Sequence, residues 1–273
     1  MRTALALTIA YSVITAPPLR AAQPASAPLV LMDMMTTTEV RDAIAAGKTT
    51  VLIYNGSTEQ SGPHIVLGKH IIHARYIGER IARELGNALV APVIPFSPTG
   101  DELMKFPGTI NLRSETLASL NEDITASMVK AGFRYIILTG NHGGNQATLK
   151  ELAPKLDERY KTQGVRVFFS GAAYSGSGKE TDAYEKAHNF PPSGHGGIAD
   201  TSTLWAACPK GCIRSDKIAM GDPMNRVPGQ PTKMGPKGVE GDPRLSSPEV
   251  GKVYNDIQVK NAVAEIRNLV LQK

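Results

Sequence analysis

The stretch TTVLIYNGSTEQSGPHIVLGKHIIHARYIGERIAREL, residues 49–85, decides the fold. Its first part, TTVLIY, is an unbroken apolar run of strand length that ends at Asn55-Gly56. Such a run suits a strand buried on both faces. From Lys69 onward, apolar residues at 71, 72, 77, 81 and 85 mark one face of a helix that Gly86 stops. The unit recurs. ALVAPVIPF (88–96), YIILTG (135–140) and VRVFFSG (165–171) read as strands. RSETLASLNEDITASMVKAGF and NQATLKELAPKLDERYKTQG read as helices, the first with a capping box at Ser114 and a stop at Gly132. A helix capped within Thr36–Thr38 precedes the series, with Glu39 in its first turn, and another runs from Pro248 to the C-terminus. Alternating strands and helices predict an α/β fold with a mostly parallel sheet covered on both faces, one domain over 28–273. Residues 172–245 are rich in Gly, Pro and Ser, the mark of functional loops, although TSTLWAA within them reads as a helix.

Composition narrows the function. The chain is 41% hydrophobic and 20% charged, ordinary globular values. Its net charge of +5 includes Arg2 and Arg20 of an N-terminal stretch, and its basic residues are interspersed with acids, so nucleic acid is a poor partner. That stretch, residues 1–27, has one Arg, an apolar run from Ala4 to Ala16 and then small residues and prolines. It reads as a secretory leader and places the mature protein in the periplasm or outside the cell, with no membrane association after processing. Cys208 and Cys212 are the only cysteines, and in an oxidising compartment they predict a local disulfide.

In an open α/β sheet, ligands gather beyond the carboxyl ends of the strands. Glu59 and His70 follow one predicted strand, and His142, in TGNHGGN, follows another. A third group lies in SGHGGIADTS, with His195, Asp200, Thr201 and Ser202. Imidazole nitrogen with carboxylate oxygen is a ligand set suited to zinc or another transition metal. Taken singly, each residue has a plainer reading. His64 beside Pro63 suits a turn or the surface, His73 suits helix packing, Glu59 suits a turn cap and His142 suits a buried core histidine. The co-location of three groups favours a site.

The segments NGSTEQSGPHIVLGKH, FPGTINL, GFRYIILTGNHGGN, SGHGGIADTS and GVEGDPRLSSPEVGK, in this order, resemble the creatininase (creatinine amidohydrolase) family. The resemblance spans roughly residues 36–270. It implies a three-layer α/β/α sandwich, a homo-oligomer, often a hexamer, and a two-metal centre that hydrolyses C–N bonds. It makes Glu59 and His142 metal ligands, His195 the catalytic histidine and Asp200 the acid that follows it. Two of the four metal positions differ: Ser61 stands where the family has histidine, and His70 stands where it has a bridging aspartate. A neutral imidazole has one lone pair and cannot bridge two cations as a carboxylate does.

The expectation is therefore a hydrolase with one or two divalent metals per subunit, zinc first and manganese or iron next. Glu59, His70 and His142 hold the metal, with Asp200 as a further ligand or as a proton-handling partner of His195. The substrate expected is a small cyclic amide, formamide or lactone. A non-catalytic small-ligand-binding protein derived from a metallohydrolase is the competing reading. Ser61 as a nucleophile is a minor one, since GSTEQSG lacks the Gly-x-Ser-x-Gly elbow.

Overall fold

The computed structural model describes residues 29–224 and 233–271, so the leader reading lies outside the described residues. The chain runs α1 (Thr37–Ala45), β1 (Thr50–Asn55), α2 (Lys69–Leu85), β2 (Ala88–Val90), α3 (Asp101–Met104), α4 (Ser114–Ala131), β3 (Tyr135–Gly140), α5 (Gly143–Tyr160), β4 (Arg166–Ser170), α6 (Gly178–Ala187), α7 (Ile198–Ala207) and α8 (Pro248–Leu271). The strands form one parallel sheet in the order β2-β1-β3-β4. Helices α2 and α8 pack on one face and α4 and α5 on the other, the predicted α/β/α sandwich. Each right-handed crossover must lie on the face its direction of travel dictates. The chain moves outward from β1 to β2 and then in the opposite direction to β3 and β4, which puts α2 on one face and both α4 and α5 on the other.

Burial explains the strand runs. Val51, Leu52 and Ile53 of β1 and Ile136, Ile137 and Leu138 of β3 are wholly inaccessible to solvent. Each such side chain contributes roughly 1.5–3 kcal/mol of transfer free energy. The two strands pair from Thr50↔Tyr135 to Asn55↔Gly140, so they end level. The loops after them leave side by side, at the point where the strand order reverses. Three buried amides hold that edge. Asn55 and Asn121 exchange side-chain hydrogen bonds (3.1 and 2.9 Å), and Asn145 Nδ2 donates to the carbonyls of Asn55 and Gly56 (both 3.1 Å).

Three local expectations need correction. The strand predicted over 88–96 pairs regularly only over Ala88–Val90, with a single further bridge from Ile94 to Asn55. Pro92 and Pro95 lack the N–H that a continued ladder needs. Ser114 does not cap α4: Arg113 holds the extended N-cap backbone, with no side-chain cap, and Ser114 is already helical. The capping box does form at α1, where Thr36 and Glu39 bond each other's backbone N–H. Within 172–245 there is a second helix besides the predicted one. It is α6, whose Tyr184 packs edge-on against Tyr254 of α8 (5.7 Å). The expected disulfide joins Cys208 and Cys212 after α7.

Candidate metal centre

Glu59 leaves the end of β1 in a loop pinned by its own N–H, which donates to the Leu67 carbonyl (3.1 Å). Its carboxylate is completely buried. Oε1 lies 3.0 Å from His70 Nε2 in the first turn of α2, and Oε2 lies 2.8 Å from His142 Nε2 after β3. One donor atom from each of the three residues falls within 4.8 Å of the others. The two rings meet edge to face at 4.9 Å. His142 caps α5, and its Nδ1 accepts from Gly144 N–H (3.2 Å) and sits 2.8 Å from Ser97 Oγ. This cap requires glycine at 144, because a Cβ there would lie 1.7 Å from the Pro98 carbonyl oxygen.

A hydrogen-bonded relay orients His70. Asn255 Oδ1 accepts from His73 Nε2–H (2.8 Å), and Asn141 Nδ2–H donates to His73 Nδ1 (3.0 Å). Asn141 Oδ1 is then left to accept from His70 Nδ1–H (3.1 Å). With each amide allowed only its proper roles, the chain places the proton of His70 on Nδ1 and its lone pair on Nε2, facing Glu59. His73 is buried on the packed face of α2, as its helical position suggested, and it also links Asn255 to Asn141 in this relay.

His195 closes the third side. Its Nε2–H donates to the Gln60 carbonyl (2.8 Å), which leaves Nδ1 as an acceptor 3.9 Å from Glu59 Oε1. Asp200, in the first turn of α7, lies outside the Glu59, His70 and His142 group. Its Oδ2 accepts from Lys69 Nζ (2.6 Å) and Gly196 N–H (2.8 Å). His64 is buried and bonds Thr201 Oγ1 (2.9 Å), which corrects the surface reading: the turn at Pro63 folds it inward against α7. Ser61 is buried with no hydrogen-bond partner on its hydroxyl, so the nucleophile reading finds no base beside it.

Electrostatics follow from burial and charge pairing. Burial alone favours the neutral acid at Glu59, but the rings of His70 and His142 outweigh it and hold the carboxyl well below the usual range. Asp200 is likewise held low, against the effect of burial, by Lys69 and His195. Burial pushes His70 and His64 down to about 4 and also lowers His195 and His73. The donor set at neutral pH is one carboxylate with neutral imidazole at His70. This chemistry fits a divalent transition metal. A cavity of about 370 Å³ opens on the group, lined also by Lys69, Tyr174 and Glu185, a volume suited to a small molecule.

No sequence pattern points to Lys69, Asn141, Ser97 or Asn255. Lys69 looked like the first residue of an amphipathic helix. Only its place beside His70, on the side that α2 buries, hinted otherwise.

The family described as Creatininase: Creatinine amidohydrolase matches residues 33–266. The chain belongs to the creatininase family. It is 23% identical to the creatinine amidohydrolase of Pseudomonas putida, across 87% of this chain and 96% of that protein. It is 26% identical to the mycofactocin precursor peptide peptidase of Mycobacterium ulcerans, across 80% and 84%. Among solved structures, a tryptophan-to-alanine mutant creatininase superposes with a TM-score of 0.77 at 21% identity, covering 88% of this chain and 98% of that one. A manganese creatininase gives 0.76 (88% and 98%), and a mutant creatininase of "Zn-Zn type" gives 0.75 (89% and 98%), each at 22% identity. These structures carry the fold. The family match adds the chemistry: this creatininase relative is a creatininase-like amidohydrolase with a Glu-His-His group able to hold a metal. No helix among its described residues is long and apolar enough to cross a membrane.

Proposed function

We propose that this creatininase-family protein is an exported, single-metal hydrolase of a C–N bond in a small cyclic amide or formamide, or of the related bond in a lactone. The observation that carries the reading is the convergence of Glu59, His70 and His142 on one point beside a cavity, with the His70 lone pair aimed inward. A divalent cation there supplies Lewis acidity, polarising a scissile carbonyl and acidifying water. Zinc heads the candidates because two imidazoles, one carboxylate and an open position form its usual catalytic set. Manganese is the next candidate.

The chain's own residues supply the rest. His195, neutral because it is buried, can take a proton at Nδ1 and return it to the departing nitrogen, while Gln60 holds the ring by Nε2. Asp200 stays ionised and anchors the Gly196 N–H next to His195. Tyr174, Ser177, Thr181 and Glu185 form one wall of the cavity. The Cys208–Cys212 bond and the leader-like residues 1–27 support export. Assembly into a homo-oligomer, a hexamer by family likeness, belongs to the same reading.

The test is metal content per chain of the purified protein, beside Glu59→Ala and His70→Ala variants. About one metal, lost in both folded variants, is expected, followed by turnover in a screen of cyclic amides, formamides and lactones. No metal after reconstitution with zinc or manganese refutes the reading.

A further inference from the structure

Lys69 is used by neither the family likeness nor the proposed hydrolysis, yet it sits at the centre of the site. It is the first residue of α2, immediately before His70, and only 3% exposed. Its ammonium lies 2.6 Å from Asp200 Oδ2 and 4.0 Å from Glu59 Oε1 and lines the cavity. Lysine is almost never so buried without a partner, because removing a cation from water is expensive. Here it has two carboxylates.

The same two carboxylates are what a second metal ion would need. Nδ1 of His70 is engaged by Asn141 and its Nε2 faces Glu59 Oε1, while the Ser61 hydroxyl makes no hydrogen bond to Glu59, Asp200 or Lys69 and so stands apart from the two acids. Glu59 Oε1, Asp200 and Nδ1 of His195 remain, and the Lys69 ammonium lies between the two acids. We propose that Lys69 is a resident cation standing in for a second metal ion, limiting the centre to one metal per chain. The inference rests on the metallohydrolase reading above. It also assigns the ammonium a role in the cavity: a fixed positive charge facing the place where a substrate carbonyl oxygen gains negative charge. A lysine does this without metal supply, and its three donors leave it able to bond a substrate while held by Asp200.

The test compares metal-free full-length wild type with Lys69→Ala, Lys69→Met and Lys69→Arg, each checked for folding by circular dichroism and titrated with Zn²⁺ alone. Bound metal is counted by mass spectrometry and affinity is measured by chelator competition. Wild type and Lys69→Arg are expected to saturate at one Zn²⁺ per chain. Lys69→Ala clears the position and is expected to take up a second equivalent. Lys69→Met keeps the stem's packing but lacks the charge, so its single Zn²⁺ should bind at least tenfold more tightly as the repulsion disappears. Either change supports the assignment, and one folded variant suffices to read it. One metal of unchanged affinity in the folded variants overturns it. Two tight metals in wild type overturn it together with the single-metal part of the metallohydrolase reading, and leave a two-metal hydrolase. No metal in any form overturns both.

Discussion

Gly251 of α8 offers a substitution for which helix propensity and tertiary packing predict opposite signs. Alanine in a helix is better than glycine by about 1 kcal/mol, so propensity alone predicts that Gly251→Ala stabilises. In the structure an added Cβ would lie 1.8 Å from the Ser202 carbonyl oxygen, 2.4 Å from its carbon and 3.0 Å from Ala206 Cβ, all on α7. Carbon rests no closer than about 3.3 Å to a carbonyl oxygen, so the helices must part locally by about 1.5 Å. Overpacking of this kind costs about 1–3 kcal/mol. One turn further along α8, Asn255 Nδ2 donates to the Thr203 carbonyl (3.2 Å), and separation stretches that bond, losing about 1 kcal/mol more. With the propensity gain set against these, Gly251→Ala should destabilise the protein by about 1–3 kcal/mol and lower Tm by roughly 2–12 °C. Urea and thermal unfolding of the metal-free protein measure this. Gly178→Ala is the control: nothing lies within 4 Å of an added Cβ at that first residue of α6, and a small stabilisation is expected. Asn255 also starts the relay that orients His70, so Gly251→Ala should bind zinc several-fold more weakly. An unchanged or raised Tm for Gly251→Ala refutes the packing argument.

Other outcomes follow from the same geometry. His64 is held at about 4 by burial, below its ordinary 6.5. The unfolded chain therefore binds that proton first, and stability present above pH 6.5 is lost as the pH falls toward 4, by up to about 3 kcal/mol. His64→Gln should flatten the pH dependence of urea midpoints over that interval; an unaltered slope would count against the assignment. Asn141→Ala frees the Nδ1–H of His70 and should weaken zinc binding by about tenfold to a hundredfold, and, by leaving buried nitrogens of His70 and His73 unpaired, cost about 1–3 kcal/mol of stability. Equal affinities by competition titration would show that the relay does not orient the ring. Replacing Cys208 and Cys212 together by serine opens a short ring and should cost about 2 kcal/mol in unfolding experiments while metal content stays constant.

Short-range spacing carries the features that can be read directly from the residues. The apolar run through Leu52 and Ile53, the helical face from Ile71 to Leu85 and the stops at Gly86 and Gly132 are local hydrogen-bonding and periodicity signals. They place β1, α2 and β3 within a residue, and α5 within two residues at its start and four at its end. Because parallel strands deliver their following residues to one edge, they also bring Glu59, His70 and His142 together. Local rules failed where another local group took the role: Arg113 displaced Ser114 at the head of α4, and prolines cut β2 short. Contacts between residues far apart in the chain are set by packing in three dimensions. It paired Lys69 with Asp200, set Ser97 beside His142, and ran the relay from Asn255 to His70. It also buried His64 against Thr201. These contacts depend on strand register and on helix approach distances set by single residues such as Gly251. Propensity and periodicity act over a few residues, whereas a side-chain hydrogen bond is decided within about half an ångström after every layer has packed.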